Sequence, residues 1–151
     1  MNQELAGGDT VSDADIKPLN WNEDPNVGYS VERRSDGGMQ YTFNDASHTT
    51  LEHWRRFSMD HLIESDRLTT NLYDLRKIDK LPEEAIVYAL EVSSDPSTRN
   101  IRLAVVLANE QVREAVEEIA ALTPPGGLRI GIFTDLDEAE AWLARPLTHV
   151  T

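Results

Sequence analysis

The 151-residue sequence contains no cysteine. This absence excludes disulfide bonds, thiolate nucleophiles and cysteine-ligated zinc as sources of stability or chemistry. A chain of this length buries about two thirds of its unfolded surface when it folds, so it needs none of these supports. A chain without cysteine also fits a reducing compartment, and we expect a cytoplasmic protein.

Long apolar runs are also missing from the chain. The longest, Leu103–Ala108, has six residues, whereas a helix needs about 20 to cross a bilayer. The first residues, Met1–Glu4, form neither a basic n-region nor an apolar h-region. The sequence therefore predicts no transmembrane segment and no signal peptide.

Basic residues are scarce. The chain has 14 Lys and Arg residues against 27 Asp and Glu, for a formal net charge of −13. Proteins that bind nucleic acid or anionic membranes cluster Lys and Arg, so this balance argues against both partners. It favours a basic protein partner through long-range electrostatics, although solubility alone accounts for an acidic surface.

The acidic residues are unevenly distributed along the chain. Residues 1–25 contain six acids, one lysine and no apolar periodicity, which predicts a disordered or loosely docked arm. Trp21 is the exception, and we favour its packing on the domain over a role as a partner anchor. A single domain then covers residues 26–146, followed by a tail of residues 147–151.

The periodicity of apolar residues predicts a β-hairpin followed by alternating helices and strands. The hairpin turn is Ser35–Gly38, and Thr49 or Thr50 caps the first helix. Asp135 or Thr134 caps the last helix. The predicted elements, in chain order, are strands around Val27–Val31 and Met39–Phe43, helix Leu51–Glu64, strand Asn71–Leu75, helix Pro82–Val92, strand Ile101–Leu107, helix Glu110–Leu122, strand Leu128–Phe133, and a final helix ending before Arg145-Pro146.

This order of elements indicates an α/β fold with a mixed sheet of four to five strands and four helices. An N-terminal hairpin supplies the antiparallel pair, and the strand–helix repeats supply parallel inner strands. The nearly continuous apolar run Ile101–Leu107 predicts a central strand covered on both faces.

Catalytic and metal-binding signatures are absent from the sequence. There is no dinucleotide-binding glycine motif, no phosphate loop and no nucleophile elbow. The four histidines are His48, His53, His61 and His149. Of these, His53 and His61 lie two helical turns apart, about 12 Å along the axis, and cannot share a metal. We therefore expect a protein that is not an enzyme and that has no metal or cofactor.

Polar residues follow the ends of the predicted parallel strands. Ligands of open parallel sheets favour the crevice beyond these carboxyl ends. A binding site there would include Asp74, Arg76 and Lys77, joined by Asn109 and Asp135 after the next strands. The alternative, which we favour, is a solvated loop with one structural ion pair.

Three segments carry a family resemblance, namely Asp74–Arg76, Arg102–Val106 and Ile132–Leu143. In this order and spacing the chain resembles the SpoIIAA-like branch of the STAS fold, the fold of anti-sigma-factor antagonists. The resemblance extends from about Met39 to Arg145. It implies a four- or five-stranded sheet and a binding or regulatory module rather than an enzyme.

The antagonists of this fold carry a phosphorylatable serine where the helix after the Asp-Leu strand end begins. The corresponding segment here, Lys80–Ala85, contains no hydroxyl group, so the resemblance does not extend to regulation by serine phosphorylation. One hypothesis is that Glu83 supplies a fixed negative charge at this position. The alternative, which we favour, is an ordinary interaction of Glu83 with the helix dipole.

Two functional hypotheses follow from the sequence. The first is a protein-interaction module that uses the exposed side of the second helix and its preceding loop. The second is a carrier of a small molecule or lipid, because the apolar bulk of Trp54, Phe57 and Met59 exceeds what one helix face requires. Such residues form a core or a homodimer contact more often than a pocket.

Overall fold

The computed structural model describes Trp21 and residues 24–63, 69–98, 101–125 and 128–145. Most of the predicted arm, the tail of residues 147–151, His149 and the side chain of His61 lie outside the described part. The elements follow the predicted order. They are β1 Tyr29–Arg33, β2 Met39–Phe43, α1 His48–Ile63, β3 Thr69–Asp74, α2 Glu83–Ser93, β4 Ile101–Val106, α3 Glu110–Leu122, β5 Arg129–Phe133 and α4 Leu136–Leu143.

The five strands form one mixed sheet in the order β1-β2-β3-β4-β5. Strand β1 pairs with β2 antiparallel, with Tyr29 opposite Phe43. The pairs β2–β3, β3–β4 and β4–β5 are all parallel. The predicted hairpin and parallel inner strands are confirmed.

Helices α1, α2 and α3 lie on one face of the sheet, because each connects two neighbouring parallel strands and each step moves in the same direction across the sheet. Such crossovers are almost always right-handed, which places all three helices on the same side. Helix α4 follows the edge strand β5 and covers the opposite face. Ala139 and Leu143 of α4 are buried there against Leu72, Ala104 and Val106.

Strand β4 is buried along all six residues, as its apolar run predicts. Its odd-numbered residues face α1–α3 and its even-numbered residues face α4. The core on the side of α1–α3 is rich in aromatic rings. Tyr41 packs against Tyr73 with ring centroids 4.5 Å apart, and the Trp54 indole donates a hydrogen bond to the Tyr73 hydroxyl at 3.0 Å.

Trp21 packs against the domain. Its ring lies 4.7 Å from Tyr29 and 5.3 Å from Phe57, and its edge meets His53 at 5.5 Å, measured between centroids. The Tyr29 hydroxyl and the His53 Nδ1 are also hydrogen-bonded at 2.8 Å. The docked position that we favoured for Trp21 is confirmed.

Helix α1 begins three residues before the predicted start, and the predicted cap at Thr49 or Thr50 is wrong. The Ser47 hydroxyl accepts the backbone N–H of Thr50 at 3.3 Å and so acts as the cap. The Thr50 hydroxyl instead forms hydrogen bonds with residues that precede the helix. It accepts the N–H of Gly28 at 2.8 Å and donates to Asp45 at 2.7 Å, so this buried side chain joins the start of β1 to the start of α1.

Most of the other elements differ from prediction by one or two residues at their ends, whereas β2 has the predicted bounds. Strand β3 begins and ends earlier than the predicted Asn71–Leu75, and Pro82 precedes α2 as its extended N-cap residue. Helix α3 has the predicted bounds. Asp135, not Thr134, caps α4 by accepting the N–H groups of Asp137 at 2.7 Å and Glu138 at 3.4 Å.

Arg102 is the one charged residue of β4 and is buried beneath α4. Its Nη1 donates to the carbonyls of Trp142 at 2.9 Å and Arg145 at 3.0 Å. The guanidinium carbon also lies 5.2 Å from the centre of the Trp142 ring. Because the last carbonyls of a helix have no partner within it, Arg102 satisfies the C-terminal end of α4 from the sheet below.

Replacing Arg102 with Ala is expected to lower the free energy of unfolding by about 2–4 kcal/mol, because the carbonyls of Trp142 and Arg145 each lose a hydrogen bond from the guanidinium and a buried volume empties. The matched control is Arg129→Ala. Arg129 pairs with Arg102 across β4 and β5 but is exposed, so its loss should change stability by about 0.5 kcal/mol or less. Chemical denaturation measures both, and equal effects would contradict the role of Arg102.

Candidate functional site

The carboxyl ends of β2, β3, β4 and β5 lie at one edge of the sheet because these strands are parallel. The structure therefore places the predicted binding residues at that edge. Asp74, Arg76 and Lys77 lie where β3 ends, and Asn109 contacts the same loop from the start of α3. Asp135 lies at the same edge but follows β5, two strands away from β3.

Asp74 and Arg76 form an ion pair within the β3–α2 loop. Arg76 donates from Nε to Oδ1 at 2.9 Å and from Nη2 to Oδ2 at 2.8 Å. The Arg76 backbone N–H also reaches Oδ1 at 3.1 Å. The side-chain hydrogen bonds from Arg76 lower the pKa of Asp74. The structure thus contains the local ion pair that the alternative interpretation predicts.

Asn109 and Asp135 both act as helix caps. The Asn109 carbonyl oxygen accepts the N–H of Val112 at 2.9 Å, and its amide donates to the carbonyl of Ile78 at 3.0 Å. Asn109 therefore starts α3 and fastens the β3–α2 loop to it. Asp135 uses one carboxylate oxygen to start α4. Each polar side chain has a structural task, whether or not it also meets a ligand.

Lys77 and Glu83 are less constrained. The Lys77 ammonium makes one hydrogen bond, to the Asn44 side chain at 3.4 Å, and no carboxylate of the described residues forms an ion pair with it. Glu83 is exposed in the first turn of α2, as predicted. Its neighbour Glu84 binds the His48 Nδ1 at 2.5 Å, which raises the pKa of His48. The charge-mimicry hypothesis for Glu83 stays a prediction.

An apolar cavity of about 100 Å³ lies between the sheet and the three helices that cover it. Side chains of the sheet form its floor and side chains of α1, α2 and α3 its walls, among them Phe43, Tyr73, Leu103, Val105, Ile130, Leu51, Trp54, Ala85, Ala89 and Val116. Its polar groups are already paired. The Tyr73 hydroxyl accepts from Trp54, and the Ser93 hydroxyl accepts from Thr123 at 3.2 Å. Burial raises the pKa of Tyr73 to about 12, so the cavity has an uncharged lining.

Small residues on α2 leave this space open. Ala85, Ala89 and Ser93 recur every four residues, so they share the helix face that lines the cavity. Of the three α1 residues in the sequence hypothesis of a pocket, Trp54 lines the cavity, whereas Phe57 and Met59 pack in the aromatic core. The hypothesis of a ligand-binding pocket stays a prediction. The missed signal was the spacing of small residues on α2, which does not by itself distinguish a void from close helix packing.

The described residues contain no group of three or more metal-ligating side chains that could hold an ion. No helix within the described ranges is long and apolar enough to cross a membrane.

The comparisons with known proteins show the fold. No protein-family profile matches the sequence, and no curated protein matches it. A crystal structure of an uncharacterised DUF3478-family protein from Shewanella loihica PV-4, described as having a SpoIIAA-like fold, matches with a TM-score of 0.55 and 19% sequence identity. The match covers 82% of this chain and 100% of the other. The chain has a SpoIIAA-like fold.

This SpoIIAA-like domain confirms the fold that the three resembling segments implied. Asp74 ends β3, and Arg102–Val106 lie within β4. The third segment contains the end of β5 and all of α4. The start of α2 has no side-chain cap, because Pro82 stands at that position.

The Asp74–Arg76 pair should make stability depend on pH. A carboxylate whose pKa falls on folding stabilises the protein above its unfolded pKa of about 3.9, and this contribution disappears as pH falls through the folded pKa. Asp74→Asn is therefore expected to destabilise the domain at pH 7 and to have a smaller effect near pH 3. Thermal unfolding across this range measures the change.

The control for this prediction is Asp79→Asn, in the same loop. Asp79 is exposed and forms no ion pair with any described residue. Its replacement should leave the pH profile of stability unchanged. A deficit in Asp74→Asn that is equally large at pH 3 and pH 7 would show that the charge of Asp74 is not the stabilising factor.

Proposed function

We propose that this SpoIIAA-like domain binds a small apolar molecule, or the apolar part of a larger one, in the cavity beneath α2. The observation that carries the proposal is the apolar cavity of about 100 Å³, in which the side-chain polar groups of Trp54, Tyr73 and Ser93 each have a hydrogen-bond partner within the protein. A lining that is almost wholly apolar favours hydrocarbon over water or a polar ligand, because a polar group placed there would lose its hydrogen bonds to water.

The size of the cavity supports a ligand of modest dimensions. A cavity costs about 24 cal/mol per Å³ relative to a filled core, so this one represents roughly 2 kcal/mol. A hydrocarbon that fills it would regain part of this free energy through dispersion contacts and burial. An apolar cavity of about 150 Å³ in another protein stays dry and accepts benzene, so we expect ligands of similar or slightly smaller size.

We further propose that the domain acts by binding and not by catalysis. In support, Asp74, Asn109 and Asp135 at the carboxyl edge are each engaged in an ion pair or a helix cap. A catalytic role would require these groups to leave the loop and helix starts that they hold in place.

The variant Ala85→Leu tests this proposal, because it places a larger side chain in the cavity. We expect benzene to shift the NMR signals of cavity-lining residues in the natural protein and not in the variant. The matched control is Val87→Leu, on the same helix but 56% exposed, which should bind benzene as the natural protein does. Benzene-induced shifts that are absent from the natural protein, or retained in Ala85→Leu, would contradict the proposal.

A second candidate function is protein binding through the outer face of α2, the surface that the sequence analysis favoured. Its supporting observation is Val87, an exposed apolar side chain with exposed Glu83 and Glu91 on the same helix. An apolar anchor within an acidic surface suits a partner with apolar and basic side chains.

This second candidate predicts that Val87→Glu abolishes capture of a partner that the natural domain retains from a native lysate. The same variant should bind benzene normally, because Val87 does not line the cavity. Identical captured proteins for both forms, identified by mass spectrometry, would contradict docking through this face.

A further inference from the structure

One end of the cavity reaches the carboxyl edge of the sheet. Its lining there consists of Phe43 at the end of β2, Ala46 before α1, and Ile78 and Leu81 in the β3–α2 loop. Ala46 and Leu81 are only half-buried. The apolar lining therefore continues to the protein surface between the starts of α1 and α2.

Two lysines flank this end of the cavity. The whole chain has only three lysines, and two of them lie in this loop. Lys77 directly precedes Ile78, and Lys80 directly precedes Leu81. Both are exposed. The hydrogen bond from Lys77 to Asn44 places its ammonium beside the residue that follows Phe43, at the rim of the cavity.

Two of the nearby carboxylates already have side-chain partners within the protein. Asp74 is bound by Arg76, and Glu84 is bound by His48. Neither Lys77 nor Lys80 forms an ion pair with a carboxylate in the described part of the chain. Asp79 and Glu83 are the remaining exposed carboxylates of this segment, and exposed Asp45 precedes Ala46 at the same rim. The Asp45 carboxylate accepts hydrogen bonds from the Thr50 hydroxyl and the Ser47 N–H, so three of the five carboxylates around the two lysines already have partners within the protein.

We infer that the ligand is an amphiphile with a short hydrocarbon tail and a carboxylate head, with the tail in the cavity and the head at Lys77 and Lys80. This inference rests on the proposed function. A charged head that entered this almost wholly apolar lining would lose its hydration, so it must stay at the rim. Lysine side chains are long and flexible, and an ammonium binds a carboxylate with a charge-assisted hydrogen bond.

Three ligands that share one tail separate the contribution of the head from that of the cavity. They are hexanoate, hexanol and hexylamine, titrated by NMR at low salt. One exposed ion pair changes affinity by about 1.4- to 5-fold. With two lysines, we expect hexanoate to bind about three- to tenfold more tightly than hexanol, and hexylamine to bind more weakly than either.

The variant Lys77→Gln/Lys80→Gln should bring the affinity for hexanoate down to that for hexanol and leave hexanol binding unchanged. Arg129→Gln is the control, because it removes an exposed cation from the opposite face of the sheet. It should alter neither affinity. Far-ultraviolet circular dichroism and the melting temperature establish that each variant is folded, and the single lysine variants should each show an intermediate loss.

The outcomes distinguish the two levels of inference. Equal binding of hexanoate and hexanol, or hexanoate binding that survives the double lysine substitution, would overturn the carboxylate assignment while leaving the apolar cavity site intact. Tighter binding of hexylamine would overturn it in the same way and assign the rim to a cationic head. Failure of all three ligands, together with failure of benzene, would overturn the proposed function itself.

Discussion

Strand β4 presents apolar side chains to both faces of the sheet, so neither face can be left in water. Leaving one of its valines exposed would forfeit about 1.5–3 kcal/mol of burial. Three right-handed crossovers place α1, α2 and α3 on the same face, which leaves the other face of β4 uncovered until α4. The last helix is therefore a requirement of the central strand. Arg102, within that strand, satisfies the end of the helix that covers it.

The two faces of the sheet are covered by side chains of different size. On the α4 face several of the packed residues are small. Ala104 and Ala139 are fully buried there, and a Cβ added at Gly131 would lie only 3.0 Å from the Trp142 ring. This close approach lets one short helix of eight residues cover the strands. On the opposite face, aromatic rings under α1 and alanines under α2 meet the same sheet. Mismatched side-chain volumes of this kind leave unfilled space between elements.

Local patterns in the sequence were sufficient for most of the architecture. The apolar run of β4 and the capped, amphipathic α3 carry their signals within a few residues, so their positions were predicted well. The start of α1 was predicted wrongly because the Thr50 hydroxyl binds Gly28, 22 residues earlier in the chain. No local pattern contains that contact, and a capping rule applied to neighbouring residues selects the wrong hydroxyl group.

The candidate site shows the same limit more strongly. Parallel strands were enough to predict that Asp74, Asn109 and Asp135 share one edge of the sheet, but not that each is used within a loop or a helix start. The cavity is lined by side chains of α1, α2, α3 and four strands, so it depends on contacts between residues that are far apart in the sequence. Composition was least informative about the ligand, because the net charge of −13 describes the whole chain. A binding site responds to the charges within about a Debye length of it, which is about 8 Å at physiological salt. At that scale Lys77 and Lys80 lie among carboxylates of which three, Asp45, Asp74 and Glu84, have partners within the protein. The proposed carboxylate head would therefore meet two ammonium groups that form no ion pair with a described carboxylate.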